Sequence, residues 1–273
     1  MFLRRAFGVT ALLLTLLTSS SCNFDKDITI ELPPHVSNLA VECYLEPNQP
    51  AKLLLTETRS YFDSPEQPFI NNATIRFYAN GQLTPLPFAP VLDTSNKKVF
   101  NYSLLSPLSS DTNIQYRLEI DDTAGRKAVA TAQMLPAAVI DSVYWRFRDV
   151  DSMAYIVTVI KAPQKAGGSY YRVLLNRNKT TGGAIRDYLA DDALYPNGKV
   201  PVVSDYRYKR GDTLIVRVLH IERAYYDFLQ SAKSASQLAG NPFAQPAPVR
   251  TNIRGGFGIF TAFIPTERRY IIR

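Results

Sequence analysis

Between Leu39 and Leu45 the apolar residues fall on every second position: Leu39, Val41, Cys43 and Leu45, with Ala40, Glu42 and Tyr44 between them. Successive side chains of a strand point to opposite faces, so this spacing predicts a strand with one face buried. Similar short runs follow. Lys52 to Glu57 comes after a turn over 47–50, and Ala73 to Ala79 sets Ile75 and Phe77 against Thr74, Arg76 and Tyr78. Asn80-Gly81 closes a hairpin there, because both residues tolerate positive φ. Another hairpin is predicted from Ile114–Ile120, through the turn 121–125, back along Arg126–Met134. About seven short strands with turn residues between them spell an immunoglobulin-like β-sandwich over 38–136.

The ladder should stop at Leu135-Pro136-Ala137, since proline gives no backbone donor. Charge changes sign there as well. Residues 23–136 hold 9 basic and 13 acidic residues, whereas 137–273 hold 20 and 11. That asymmetry supports a domain boundary. The second half is expected to be a β-rich domain over 137–273, with strands at Val139–Phe147, Ala154–Ile160, Tyr170–Leu175 and Thr213–Ile221. The stretch 180–204, with Gly182, Gly183, Pro196, Asn197, Gly198 and Pro201, reads as loop, and Arg210-Gly211-Asp212 as a turn. From Glu222 to Ala239 the period changes: Tyr225, Tyr226, Phe228, Leu229, Ala232 and Leu238 fit a helix near 222–239, ended by Gly240-Asn241-Pro242. With 16 Tyr, 14 Phe and many Val, Ile and Thr, the expected class is mainly β with one helix.

The N-terminus carries an address. Arg4 and Arg5 precede an apolar run from Ala6 to Leu17, and Thr18 to Ser21 lead into Cys22. This reads as a lipoprotein signal peptide, 1–21, with Cys22 acylated and 22–37 serving as a lipidated tether. Ser19 stands where such signals usually carry leucine. The apolar run falls short of the roughly 20 residues a spanning helix needs. With Cys22 given to lipid, Cys43 has no disulfide partner and reads as a small core residue.

No constellation of catalytic residues stands out. Gly255-Gly256-Phe257-Gly258 lacks the Lys-Ser/Thr of a phosphate loop and precedes a strand, so its glycines are expected to permit a bulge or a close backbone approach. Asp187, Asp191 and Asp192 lack the spacing of a calcium loop. Asp149 and Asp151 read as solvated turn residues, and His35 and His220 stand far apart without a nucleophile motif. An enzyme, a metal site and a cofactor are therefore not expected, hydrolase chemistry is unsupported, and for a chain with a lipoprotein signal nucleic acid is the least expected partner of the basic second half. A cleft gathering Asp187, Asp191, Asp192 and His220 would argue the other way.

The last third carries the most distinctive text: Gly240-Asn241-Pro242-Phe243, Gln245-Pro246-Ala247, Thr251-Asn252-Ile253 and the glycine-rich 255–258. Together with the 39–45 strand, Tyr61-Phe62-Asp63 and the hairpin ahead of Pro136, it resembles a Bacteroidota outer-membrane lipoprotein family known as domain of unknown function 4249. The resemblance implies a lipid-anchored protein of the outer membrane, surface-exposed, working as a binding accessory to a TonB-dependent nutrient transporter. A structural or adhesion lipoprotein is the alternative. Acidic residues just after the lipidated cysteine direct export in that phylum, and Asp25 and Asp27 stand here around Lys26. Exposed Tyr and Arg dominate protein contacts, so Tyr206, Arg207, Tyr208, Asn241, Phe243 and Asn252 are the candidate partner or ligand contacts.

Overall fold

The alternation over 39–45 becomes β1 (Leu39–Leu45), whose Leu39, Val41, Cys43 and Leu45 are sealed from solvent while Ala40, Glu42 and Tyr44 stay half-buried on the other face. The computed structural model describes residues 35–60, 69–94, 97–163, 168–178, 184, 186–238, 245 and 247–273. The expected signal, Cys22 and most of its tether, the Tyr61-Phe62-Asp63 loop, Asn241 and Phe243 lie outside the described residues. After β1 come β2 (Pro50–Glu57), β3 (Thr74–Ala79), β4 (Gln82–Pro85), β5 (Phe88–Asp93), β6 (Lys98–Pro107), β7 (Gln115–Asp121) and β8 (Lys127–Gln133). Asn80 and Gly81 link β3 to β4 as the sequence predicts, with φ of 48° and 85° and Ala79 paired directly with Gln82.

Two sheets enclose the first core. One runs β4-β3-β7-β8, and the other contains β1-β2-β6-β5. Leu53, Leu55, Phe77, Tyr116 and Leu118 meet between them, and each such side chain contributes about 1.5–3 kcal/mol when fully buried. One polar side chain sits in that interior. Asn101 accepts from the Leu55 amide at 2.8 Å and donates to the Leu55 and Ile70 carbonyls at 2.9 and 2.7 Å. It thereby satisfies backbone groups just beyond Leu53 and Tyr102, the last residues that β2 and β6 pair.

The second half contributes β9 (Val139–Phe147), β10 (Ala154–Lys161), β11 (Tyr170–Arg177), β12 (Arg186–Asp191), β13 (Lys199–Val203), β14 (Thr213–Ile221), helix α1 (Arg223–Leu238), β15 (Gly256–Ala262) and β16 (Pro265–Ile271). Sheets β13-β10-β9 and β12-β11-β14-β16 close over Ile156, Tyr171, Val173, Tyr208 and Val216. The helix lays Tyr225 and Tyr226 against Leu219 and Ile221, on the outside of this second sandwich. The chain is mainly β with one helix.

Two sequence expectations need correction. The stretch 180–204 reads as loop in the sequence, yet it holds β12 and β13, whose short runs are hidden by the turn residues around them. The cut at 136 does not separate the strands either. β15, far beyond it, pairs in parallel with β1 from Leu39↔Gly256 to Leu45↔Ala262, and Phe260 enters the first core. Glycine makes this approach possible: a β-carbon on Gly256 would stand 2.7 Å from the Leu39 carbonyl oxygen, and one on Gly255 2.1 Å from that of Lys127. The close backbone approach expected of 255–258 is what the strands use.

Candidate functional site

Because β15 belongs to the first sandwich and β16, directly after it, to the second, the outer faces of β1 and of β11-β14 are brought to either side of a cleft of about 720 Å³. Cavities between domains, in this size range, are where ligands are commonly held. Its apolar floor is Tyr225 of α1, stacked on Phe263 with ring centroids 6.1 Å apart and tilted against Tyr44 at 5.9 Å.

The walls are built from charges standing in otherwise apolar strands. On β1, Glu42 accepts from Lys98 of β6 and, at 3.3 Å, from the Tyr44 hydroxyl. Lys52 on β2 stands 3.4 Å from Asp93 of β5. Arg217 of β14 reaches across the cleft to Glu46, its Nη2 lying 2.6 and 2.7 Å from the two carboxylate oxygens. Arg172 of β11 is held by Asp187 of β12 at 2.6–3.1 Å and also donates to the Tyr225 hydroxyl. Burial is the largest influence on that phenol and pushes it up to about 12, with Arg172 pulling the other way. Burial, followed by the neighbouring Tyr225 and Glu42, also holds Tyr44 well above the ordinary phenol range.

Each of these cations already faces a carboxylate, so the cleft presents many donors and acceptors with little net charge. Such a surface suits a neutral polar or zwitterionic ligand better than a strongly charged one, which would leave some of the paired groups uncompensated. Sequence reasoning missed this site. The available signal was arginine inside two apolar strands, Val-Leu-Leu after Arg172 and Ile-Val before Arg217, which marks a face that is partly wet.

The sequence-derived contacts fare differently from one another. Tyr206 is exposed, lies edge-on to Tyr155 with centroids 5.1 Å apart, and carries the Arg148 guanidinium 4.8 Å above its ring. Arg207 is half-exposed and paired with Asp205 at 2.6 Å. A hydrogen bond from Arg186, joined by one from Arg207, holds the Asp205 carboxyl well below the usual carboxylate range. Tyr208 is corrected from surface contact to core: an isolated bridge to Ala154 at the start of β10 holds its backbone, and its side chain is completely buried in the second sandwich. Asn252 is likewise engaged with the fold. Its amide donates to the Phe260 carbonyl at 2.6 Å and accepts from the Phe260 amide at 3.0 Å, standing in for a strand beside β15.

The aspartates and His220 do not converge. Asp187 and Asp191 pair in register with Leu174 and Tyr170, which face the helix, whereas His220 pairs with Tyr171, which faces the second core. His220 stacks on Tyr171 and lies 3.0 Å from the Pro136 carbonyl, while Asp192 accepts from the Ser169 amide. Among the described residues no three His, Cys, Asp or Glu side chains gather as a metal ion would require.

Fold and cleft together define a two-sandwich β protein with an ion-paired groove between its halves. The chain belongs to the family described as Domain of unknown function (DUF4249), whose model matches residues 25–269. No curated protein matches it. Among solved structures, the crystal structure of the chicken CNTN1 FN1–FN3 domains is similar at 16% identity, over 70% of this chain and 64% of that one, with a TM-score of 0.27. This chain thus spans less than two-thirds of that structure, and at such a score the likeness says nothing of how it works.

Proposed function

We propose that this protein is a lipid-anchored binding protein of the outer membrane, exposed at the cell surface and accessory to a TonB-dependent nutrient transporter, with the ion-paired cleft as its ligand site. One observation carries the reading. Of the two cysteines in the chain, Cys43 is sealed in the first core, which leaves Cys22, placed behind a basic pair and a short apolar run, as the thiol in position for acylation. Two acyl chains suffice to hold a folded body at a bilayer, at about 0.8 kcal/mol per buried methylene. The paired charges and aromatic floor of the cleft support a polar, uncharged nutrient as cargo.

Labelled palmitate tests the anchor: the native chain takes up label, and Cys22→Ala does not. Equal labelling of the variant would overturn it. Co-purification from detergent-solubilised outer membrane tests the partnership, with a TonB-dependent transporter expected in the eluate. Recovery of the chain alone under gentle conditions would count against the accessory role.

A further inference from the structure

The outer face of β13-β10-β9 remains exposed, on the opposite side of the second sandwich from the helix. Alternation fixes which residues it presents. Trp145, Ile156 and Val202 point into the core, so Tyr144, Val157 and Val203 form one outward row across the three strands, and Ser142, Val159 and Pro201 form the next. Tyr144 and Val203, on the two edge strands, are 45% and 53% exposed, while Val157 between them on the middle strand is covered, at 5%. Beyond that row, Arg146 and Tyr155 pair, and Tyr206 with its overlying Arg148 extends the aromatic strip.

The charged frame is lopsided. Arg146 at one end and Lys161 and Lys199 at the other face outward in register, and none has a carboxylate partner among the described residues. The only acid in these three strands is Asp141, on the bulge of β9. At the Tyr206 end, Asp205 already carries two guanidiniums. An apolar centre with tyrosine and arginine, inside a basic frame, is the composition of a protein-binding patch.

We infer that this face, through Tyr144 and Val203 on either side of the covered Val157, docks a protein partner whose matching surface is apolar at its centre and rimmed by aspartate and glutamate. The inference rests on the reading that the chain works beside another envelope protein, and it names the surface that does so. A second copy would bring basic frame against basic frame, a repulsive arrangement. A lipid surface would call for apolar side chains on a protruding element, whereas these lie on the face of a flat sheet.

The test places a photoreactive phenylalanine analogue at position 144 of the full chain in its own cells, with the same analogue at the exposed Leu105 of the first sandwich as control. The expected result is one protein adduct from position 144 and none from 105, with the cross-linked peptide rich in Asp and Glu. Combined Arg146→Glu, Lys161→Glu and Lys199→Glu should cut its yield about tenfold. High salt should weaken the adduct of the unreversed chain, independently of how the reversed variant folds. Adducts only with lipid, only with a second copy, equally from 105, or indifferent to both charge and salt overturn the inference. Fractionation separates the two readings: a chain absent from the envelope removes both, and an outer-membrane chain with no adduct at 144 removes this one alone.

Discussion

Gly258 of β15 passes so close to Val41 of β1 that a β-carbon on it would stand 1.9 Å from the Val41 carbonyl oxygen, and its φ is +107°. Both the backbone conformation and the space exclude a side chain. Gly258→Ala is therefore expected to cost about 3 kcal/mol or more, read by denaturant unfolding. Gly125→Ala is the control, because its φ is +82° but nothing lies within 4 Å of the added carbon. It should lose only about 1–2 kcal/mol, the left-handed penalty alone. Equal losses at the two positions would mean that the β1–β15 approach is not tight.

Asn101 is a second point where the first sandwich has no slack. Replacing it with leucine keeps the branched shape but leaves the Leu55 amide and the Leu55 and Ile70 carbonyls without their side-chain partner. Each stranded buried group costs about 1–3 kcal/mol, so Asn101→Leu should lose at least about 3 kcal/mol of unfolding free energy. A loss under about 1 kcal/mol would show that water reaches those groups.

Alkaline pH should unfold the protein through its buried phenols. Folding raises the Tyr225 pKa to about 12, so its neutral form is the one the fold favours. The contribution is complete below the ordinary tyrosine value of about 10 and is lost as pH rises through the folded value. Stability measured against pH should fall across that window, and Tyr225→Phe should flatten part of the decline. Near neutrality the same change should cost about 1–2 kcal/mol, since Arg172 loses an acceptor.

Cys43 should be silent to thiol reagents while the chain is folded, because burial seals it and pushes its thiol far above the ordinary range. In a Cys22→Ala chain, labelling should appear only with denaturant and follow the unfolding transition. Rapid labelling of the native protein would contradict the sealed core.

Arg217 and Glu46 each keep about a third of the side chain exposed, 32% and 31%, so solvent screens their attraction across the cleft. A double-mutant cycle with Arg217→Ala and Glu46→Ala should give a coupling below about 1 kcal/mol. These variants should therefore stay folded, and a screen of neutral polar ligands by thermal shift should show binding weakened relative to the native chain. Unaltered ligand response in both variants would move the ligand site elsewhere.

Much of the fold was legible locally. The alternation over 39–45, the Asn80-Gly81 turn and the change of period at 222 each became the element they predict, because strand and helix periods are written in neighbouring residues. The site was not legible in the same way. Glu42 and Tyr44 could be assigned to the polar face of β1, but nothing nearby says that Lys98, or an arginine as distant as Arg217, stands opposite that face. Tyr206, Arg207 and Tyr208 look alike as a run of large residues, and only their positions around the second core leave the first two outside and bury the third.

The sequence by itself determined which side chains share a face, where the tight turns fall and where the one helix runs, since these depend on backbone sterics and on spacing within a few residues. Only the tertiary structure decided that β15 crosses back to lie beside β1, that this crossing sets two outer faces around a charged cleft, and that Asn252 is engaged with the backbone of Phe260. Those outcomes come from burying apolar surface shared by segments some two hundred positions apart, and burial is a property of the packed whole that no local pattern carries.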